Sequence, residues 1–276
     1  MILRVGAVPS TRPDPAELRL LAARAAAEAA AGLREVAGGA DLVFETKSTS
    51  TDLVTEWDVR TERLLVDTIL SARPGDGVAA EEGSTRASGT GVRWLLDPID
   101  GTTNFVYGVP GWNVSVAAEV DGRVLAGAVA DVVHDELFSA AEGLGATCNG
   151  RPIRCRPDPV LASALIATGF GYDADRRRRQ AEVLARVLPE VRDIRRVGAA
   201  AVDLCWVACG RVDGYYERGL QPWDHAAGAL VAREAGARVG GLDGDTVPDD
   251  GTIVAAAPGL FGPLRDLLRR AGAAQV

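Results

Sequence analysis

Asp97 and Asp100 stand three residues apart in the stretch Trp94-Leu-Leu-Asp-Pro-Ile-Asp-Gly-Thr-Thr-Asn-Phe105. Gly101-Thr102-Thr103 follows them at once. Two carboxylates where a strand gives way to a turn, beside backbone N–H groups able to face an anion, suit hard divalent cations and a phosphate. The plainer alternative is a turn in which both acids only bond the local backbone. Other residues invite the same pair of readings. Glu81-Glu82 follows a short apolar run, and adjacent acids there are either solvated or part of a metal site. Asp58 falls near the start of a helical pattern, where an acid is favourable for the helix dipole alone. Asp224 falls at an N-cap position, where capping alone would account for it. Lys47 is the only lysine in a chain whose other cations are arginines. It lies in the polar run Phe44 to Asp52, and is a solvated loop lysine unless the fold brings that loop to a site.

The elements that must position these residues follow from periodicity. Residues 1–14 read as irregular, with Pro9, Pro13 and Pro15 delaying a helix that runs from Ala16 to about Val36 and ends at Gly38-Gly39. Phe44 to Asp52 reads as a loop or hairpin. Thr55 to Leu70 is helical, with Val59, Leu64, Leu65, Val66, Ile69 and Leu70 on or near one face. Val78 to Ala80 is a short strand, and Val92 to Leu96 a buried strand that Pro98 stops. Alternation at Val114, Val116 and Ala118, the Asp121-Gly122 turn, Val124 to Ala130, Glu136 to Ala140 and the Asn149-Gly150 turn describe an antiparallel meander. Beyond it strands (165–168, 212–217, 238–240, 252–256) alternate with helices (174–188, 199–209, 223–236, 260–271). Cys148 to Arg154 spells C-x5-R, but in a hairpin turn without the following helix it is not a cysteine phosphatase loop.

The expected architecture is α/β (α+β), a layered α/β/α/β/α sandwich with the meander in its N-terminal half. Residues 1–155 would form one lobe and 156–276 a second, within one compact catalytic unit and with the site between them.

Composition narrows the class. The chain has 276 residues, 47% hydrophobic and 25% charged, with a net charge of −8. That is an ordinary globular composition, and the acidity argues against bulk nucleic-acid binding. No apolar run is long enough to span a membrane, and no secretory signal is evident, so a cytoplasmic protein is expected. The four cysteines form no CxxC pair, which fits reduced thiols. With only His134 and His225 present, carboxylates are left as the available ligands. The run Arg176 to Arg179 reads as a solvated helix face, with a partner-binding patch second.

Five pieces, taken together and in order, resemble the inositol monophosphatase family of Mg²⁺-dependent, lithium-sensitive phosphatases. They are Lys47 with Asp52-Leu-Val-Thr-x-x-Asp58, Glu81-Glu82, Asp97-Pro-Ile-Asp-Gly-Thr-Thr-Asn-Phe105, Val197-Gly-Ala-Ala-Ala201 and Trp223-Asp-His-Ala-Ala-Gly228. The resemblance covers about residues 15–270. It implies that Glu81, Asp97 and the carbonyl of Ile99 hold a first Mg²⁺, and that Asp97, Asp100 and Asp224 hold a second. Glu81 would also face a third, weaker ion. Asp58 and Thr102 would orient and activate the attacking water, with Glu81 counted among the catalytic residues. Gly101 and Thr102 would bind the phosphate, and Gly198, Ala200 and Glu217 would meet a sugar or inositol ring. Lys47 would belong to a loop beside the site. A phosphate monoester is already doubly negative, and oxygen-ligated Mg²⁺ ions about 3.5–4 Å apart neutralise it, generate the nucleophile and stabilise the leaving alkoxide. Four clustered carboxylates would repel one another in the metal-free site and raise their pKa values.

The resemblance also implies a homodimer acting on a small phosphorylated polyol or sugar. Within it, myo-inositol 1-phosphate is the first expectation, because Gly-Thr-Thr-Asn-Phe favours the inositol group over groups with Gly-Thr-Lys. Histidinol phosphate, fructose 1,6-bisphosphate and nucleotide bisphosphates are the alternatives. A reading from another class is a binding protein on the transcription machinery, with Arg176–Arg179 as the contact. His225 and Trp57 depart from the family pattern beside two proposed site residues.

Overall fold

A computed structural model of the chain describes residues 13–37, 44–47, 49 and 53–276. The expectations for residues 1–12, for the Gly38-Gly39 helix end and for Asp52 lie outside the described residues. Helix α1 (Pro15–Val36) begins at the proline expected to delay it. Proline is tolerated at the first helical position because its missing N–H has no intrahelical partner there, and Asp14 caps the turn by accepting from Ala16 N at 2.9 Å. Leu18, Leu21, Ala22, Ala25, Ala29 and Leu33 make the buried stripe, spaced by three and four residues.

The polar segment after it is a hairpin, in which β1 (Phe44–Thr46) pairs antiparallel with β2 (Leu53–Thr55). Helix α2 (Glu56–Ala72) follows directly. Its buried face is Asp58, Thr61, Glu62, Leu65 and Ile69, whereas Val59 and Leu64 are exposed. The apolar face expected from the sequence is therefore rotated, and two acids point inward.

Strands β3 (Gly77–Ala80), β4 (Thr85–Arg86) and β5 (Val92–Asp100) lead to a short helix α3 (Thr102–Tyr107). Then come β6 (Asn113–Val120), β7 (Arg123–Asp131), β8 (Glu136–Ala141), β9 (Ala146–Cys148) and β10 (Arg151–Pro152). Together they form a sheet of order β10-β9-β8-β7-β6-β5-β3-β4, antiparallel except where β3 lies parallel to β5. The C-x5-R segment is the β9–β10 hairpin, as expected.

Pro98 does not stop β5. Asp97 pairs with Ser115 and Asp100 with Asn113, three steps along β5 against two along β6. That one extra residue is a β-bulge, which accommodates a proline that has no N–H for the ladder. Side chains three apart on a regular strand face opposite ways. The bulge reverses that parity, so Asp97 and Asp100 line one cleft.

The remaining chain supplies β11 (Leu165–Thr168), α4 (Ala174–Val187), β12 (Asp193–Arg195), α5 (Ala200–Ala208), β13 (Gly214–Glu217), α6 (Pro222–Glu234), β14 (Arg238–Gly240), β15 (Ile253–Ala256) and α7 (Pro258–Ala271). The second sheet has the order β12-β11-β13-β15-β14. β12, too short and polar to announce itself, was not expected.

The layers are α/β/α/β/α. α1 and α2 cover one face of the first sheet, α5 and α6 fill the space between the sheets, and α4 and α7 cover the far face of the second. Alternation within strands divides the core accordingly. Trp94 and Leu96 pack towards α1, while Leu95 joins the α5/α6 layer. No helix among the described residues is long and apolar enough to cross a membrane.

Close approach seats α6 on the first sheet. A Cβ on Gly127 of β7 would stand 2.9 Å from the Ala227 Cα, and Ser115 Oγ donates to Trp223 O at 3.1 Å. Gly127→Val is therefore expected to lower the unfolding free energy by about 1–3 kcal/mol. The check is the urea midpoint at unchanged m-value; an unmoved midpoint would contradict this packing.

Candidate active site

The bulged end of β5, the turn after β3 and the start of α6 converge on a cleft of about 790 Å³ lined by Glu81, Asp97, Ile99, Asp100, Gly101, Thr102 and Asp224. Gly198, Ala200 and Glu217, from the second half of the chain, line it too. Asp58 lies beneath, fully buried.

Asp97 is 2% exposed, and its Oδ1 accepts from Ile99 N at 3.1 Å within the bulge. Asp100 Oδ2 is held from two sides, by Asn113 Nδ2 and by Ala201 N, each at 2.9 Å. Ala201 lies in the first turn of α5, whose early N–H groups have no intrahelical acceptor. Helix α5 thus reaches an acid of the first sheet. Asp224 is not the N-cap of α6; Gln221 is, and Asp224 sits at N3 of a capping box, its Oδ2 accepting from Gln221 N at 2.8 Å. Its other carboxylate oxygen remains for a ligand.

Asp58 is likewise the N3 partner in a capping box. Its Oδ2 accepts from Thr55 N at 2.7 Å and Thr55 Oγ1 at 2.6 Å, and its Oδ1 takes the Thr102 hydroxyl at 3.2 Å. Thr102 Oγ1 is also 2.9 Å from Ile99 O. Gly101, at φ +90°, is the turn that starts α3, and a Cβ there would lie 2.7 Å from Gly111 O.

The hairpin brings Lys47 to the site. Its Nζ is 2.9 Å from Glu81 Oε1 and also bonds Glu82. Glu217 is half-buried, with Tyr215 OH donating to its Oε2 at 2.6 Å, in space that only a glycine at 169 leaves open.

Four supporting residues carried no signal specific enough to assign them from sequence. Glu62 is one helical turn beyond Asp58, and its carboxylate accepts from Glu82 N at 2.6 Å and Ser84 N at 2.9 Å, fixing the turn that carries Glu81. Asn104 ties the α3 turn to the other half of the chain through Gly111 O at 2.6 Å and Val197 O at 2.8 Å. Asn113 holds Asp100, as described. Asp203, on α5, is fully buried with neither carboxylate oxygen bonded.

Burial leads every shift among the acids. It raises Asp97, helped by Glu81, Asp100 and Asp224. It raises Asp224, with Asp100 adding to it. Asp100 is pushed up to about 7 by burial, against the lowering bonds from Asn113 and Ala201. Burial also raises Asp58, opposed by Thr55. Mutual repulsion, the cause expected from the sequence, contributes after desolvation. Burial by itself would lower Lys47, but Glu81 and Glu82 hold it above the usual lysine range.

The donor set is all hard oxygen, and among the described residues no histidine or cysteine lines the cleft. That chemistry fits Mg²⁺ better than zinc or copper. Among the described residues, no three Asp, Glu, His or Cys side chains close on a common point as a ready-made cage. The acids stand side by side instead, Glu81 drawn to Lys47 and Asp100 to its two amide donors. His225 leaves the cleft for a separate groove beside Arg233, and burial lowers its pKa to about 4, so it is neutral. Trp57 carries the Arg60 guanidinium 4.9 Å over its ring.

The profile of the inositol monophosphatase family matches residues 14–271. An inositol-1-monophosphatase of Mycobacterium bovis is 51% identical, over 94% of this chain and 97% of that one. The Nus factor SuhB of Escherichia coli is 39% identical, over 79% of this chain and 83% of that one. A solved structure of Mycobacterium tuberculosis SuhB superposes with a TM-score of 0.80 at 47% identity, covering 94% of this chain and 98% of that one. Sequence and fold together therefore make this chain a phosphatase of the inositol monophosphatase family.

Proposed function

We propose that the protein hydrolyses a small phosphate monoester, with myo-inositol 1-phosphate as the principal substrate, and that it does so with two or three Mg²⁺ ions. The observation that carries this reading is the meeting of Glu81, Asp97, Asp100 and Asp224 in one cleft above the Asp58–Thr102 pair. Glu81, Asp97 and Ile99 O would hold one ion, and Asp97, Asp100 and Asp224 the next, so that Asp97 bridges. Bound there, Mg²⁺ neutralises the ester's charge, activates water and stabilises the leaving alkoxide.

The chain's own groups do the rest. The Thr102 hydroxyl directs its proton to Asp58 or to Ile99 O and keeps a lone pair for a hydrogen bond from water. Asp58, with its pKa raised by burial, is suited to receive a proton through that hydroxyl, and Glu81 is a second acceptor facing the cleft. Backbone N–H groups at Gly101 and Thr102 are unused by α3 and available to phosphate oxygens. Gly198, Ala200 and Glu217 form the wall for the ring, where Glu217 can accept from a ring hydroxyl. The lobes 1–155 and 156–276, a homodimer and a cytoplasmic setting complete this reading.

Asp97→Asn and Asp224→Asn are each expected to reduce kcat at saturating Mg²⁺ by about 100-fold or more. The metal-free variants should melt at or above the wild-type temperature, because each removes a buried like charge. Wild-type turnover in either would remove the assignment. EDTA should abolish phosphate release from inositol 1-phosphate and Li⁺ should inhibit it. Mg²⁺ should raise Tm in a dose-dependent way through its preference for the folded state. A Tm indifferent to Mg²⁺ together with activity in EDTA would rule out the metal reading.

Relatives named Nus factor SuhB favour a second reading, in which the protein also binds the transcription machinery. Arg177, Arg178 and Arg179 are exposed on α4 and form the available contact. Reversing the charges of the arginine run should remove partners recovered by pull-down; an unchanged set would sink the patch.

A further inference from the structure

His225 follows Asp224 in the chain, yet it takes no part in the acid-lined cleft. It lines a separate groove of about 1440 Å³, bounded by α6, by the first sheet and by the loop carrying Asp245, Thr246 and Val247. The two cavities share no lining residue.

The floor of the groove is apolar. Leu95 of β5 and Leu230 of α6 are buried there, with Val124 and Val247 packed beside them. Along α6, His225, Ala229 and Arg233 recur at every fourth residue, so they form one row on one helix face. Alanine in the middle of the row leaves open space between two polar ends. Helical side chains lean towards the N-terminus, which carries the Arg233 fork back along the row towards His225.

Four acids stand round the groove, Glu119, Glu142, Glu234 and Asp245, and all of them are engaged. Glu119 takes the Arg93 Nε–H at 2.7 Å, and Glu142 pairs with Arg123. Glu234 accepts from Gly143 N at 2.9 Å and from Gly145 N at 2.8 Å. Asp245 lies 3.0 Å from Arg238 and 3.2 Å from Arg265. Donors are what is left over. Arg233 makes no hydrogen bond or ion pair among the described residues, and its charge reaches His225. The His225 Nδ1 is buried without a partner. A proton there would be an orphaned buried N–H, so the neutral ring carries its proton on Nε2. Nε2 makes no hydrogen bond among the described residues either.

Satisfied acids and unsatisfied donors call for an anion, and an apolar floor calls for a hydrocarbon body. A guanidinium fork matches a carboxylate bidentately. The surrounding acids favour a singly charged group over a doubly charged one. We propose that this groove is a binding site for a small carboxylic acid with an apolar body. The carboxylate pairs with Arg233 and accepts from His225 Nε2, while the hydrocarbon lies over Ala229, Leu230 and Val247. The site is independent of the phosphatase reading.

The chain has only two histidines, His134 and His225, so imidazole NMR signals report on the groove directly. Hexanoate, hexanamide and hexylammonium are titrated in turn into the Mg²⁺-loaded protein. Hexanoate should move the His225 signals with a Kd of about 1 mM, the range open to so few atoms, and leave His134 unmoved. The amide and the amine should bind about tenfold more weakly or not at all. By calorimetry, Arg233→Gln should weaken hexanoate about tenfold and His225→Phe about threefold or more, with melting temperatures unchanged. Arg177→Gln, on α4, should bind as wild type does. An unmoved His225 signal would overturn the site, as would hexanamide binding equal to hexanoate. Equal hexanoate binding by Arg233→Gln would also overturn it, and would place the carboxylate on the metal of the cleft.

Discussion

Gathering carboxylates out of water in one cleft is the constraint on which the rest of this structure depends. Asp97, Asp100 and Asp224 are each raised first by burial and then by neighbouring carboxylates, Glu81 among them in every case. An isolated buried carboxylate is costly, and several together are more so. The surrounding architecture answers this with oriented N–H donors. Ala201 N at the start of α5 and Asn113 serve Asp100, Gln221 N serves Asp224, and Thr55 N with its hydroxyl serves Asp58. The N-termini of three helices, α2, α5 and α6, therefore donate to these acids. Among the described residues, Lys47 supplies the one full positive charge paired with Glu81, from the β1–β2 hairpin.

These donors satisfy only part of each acid's capacity. Asp224 and Asp97 each accept a backbone N–H on one carboxylate oxygen, and both residues line the same cleft. A fold that positions acids this way but does not neutralise them is poised for hard cations.

The two halves of the chain divide the chemistry. Acids come from the turn after β3, from β5 and from α2 in the first half, which among the described residues contributes no arginine to the cleft. Arg176, Arg196 and Arg218 all come from the second half, with Glu217 and Asp224. Asn104 and Ala201 cross between the halves by hydrogen bonds, so the relative placement of acid and cation is rigidly set. The cleft is therefore lined by acids from both halves and by arginines from the second.

Much of this was legible in the residue order. The Asp-Pro-x-Asp-Gly-Thr-Thr stretch, Glu81-Glu82, the Asp58 and Asp224 positions near helix starts and the period-two meander are local patterns, and local patterns carry turn chemistry, capping and strand pairing. Several features needed the folded chain. Pro98 reads as a strand end, yet pairing with β6 continues past it because a bulge absorbs the missing N–H. The inward face of α2 is set by what it packs on, so Asp58 and Glu62 are buried while Val59 and Leu64 are not. Arg176 is indistinguishable in sequence from Arg177 to Arg179; only glycines at 171 and 219, brought alongside by β11 and β13, make room for it. Types and spacings along the chain determined which groups could bind metal and phosphate. Tertiary structure alone decided which of them are desolvated together, because burial and like-charge proximity are properties of residues distant in sequence.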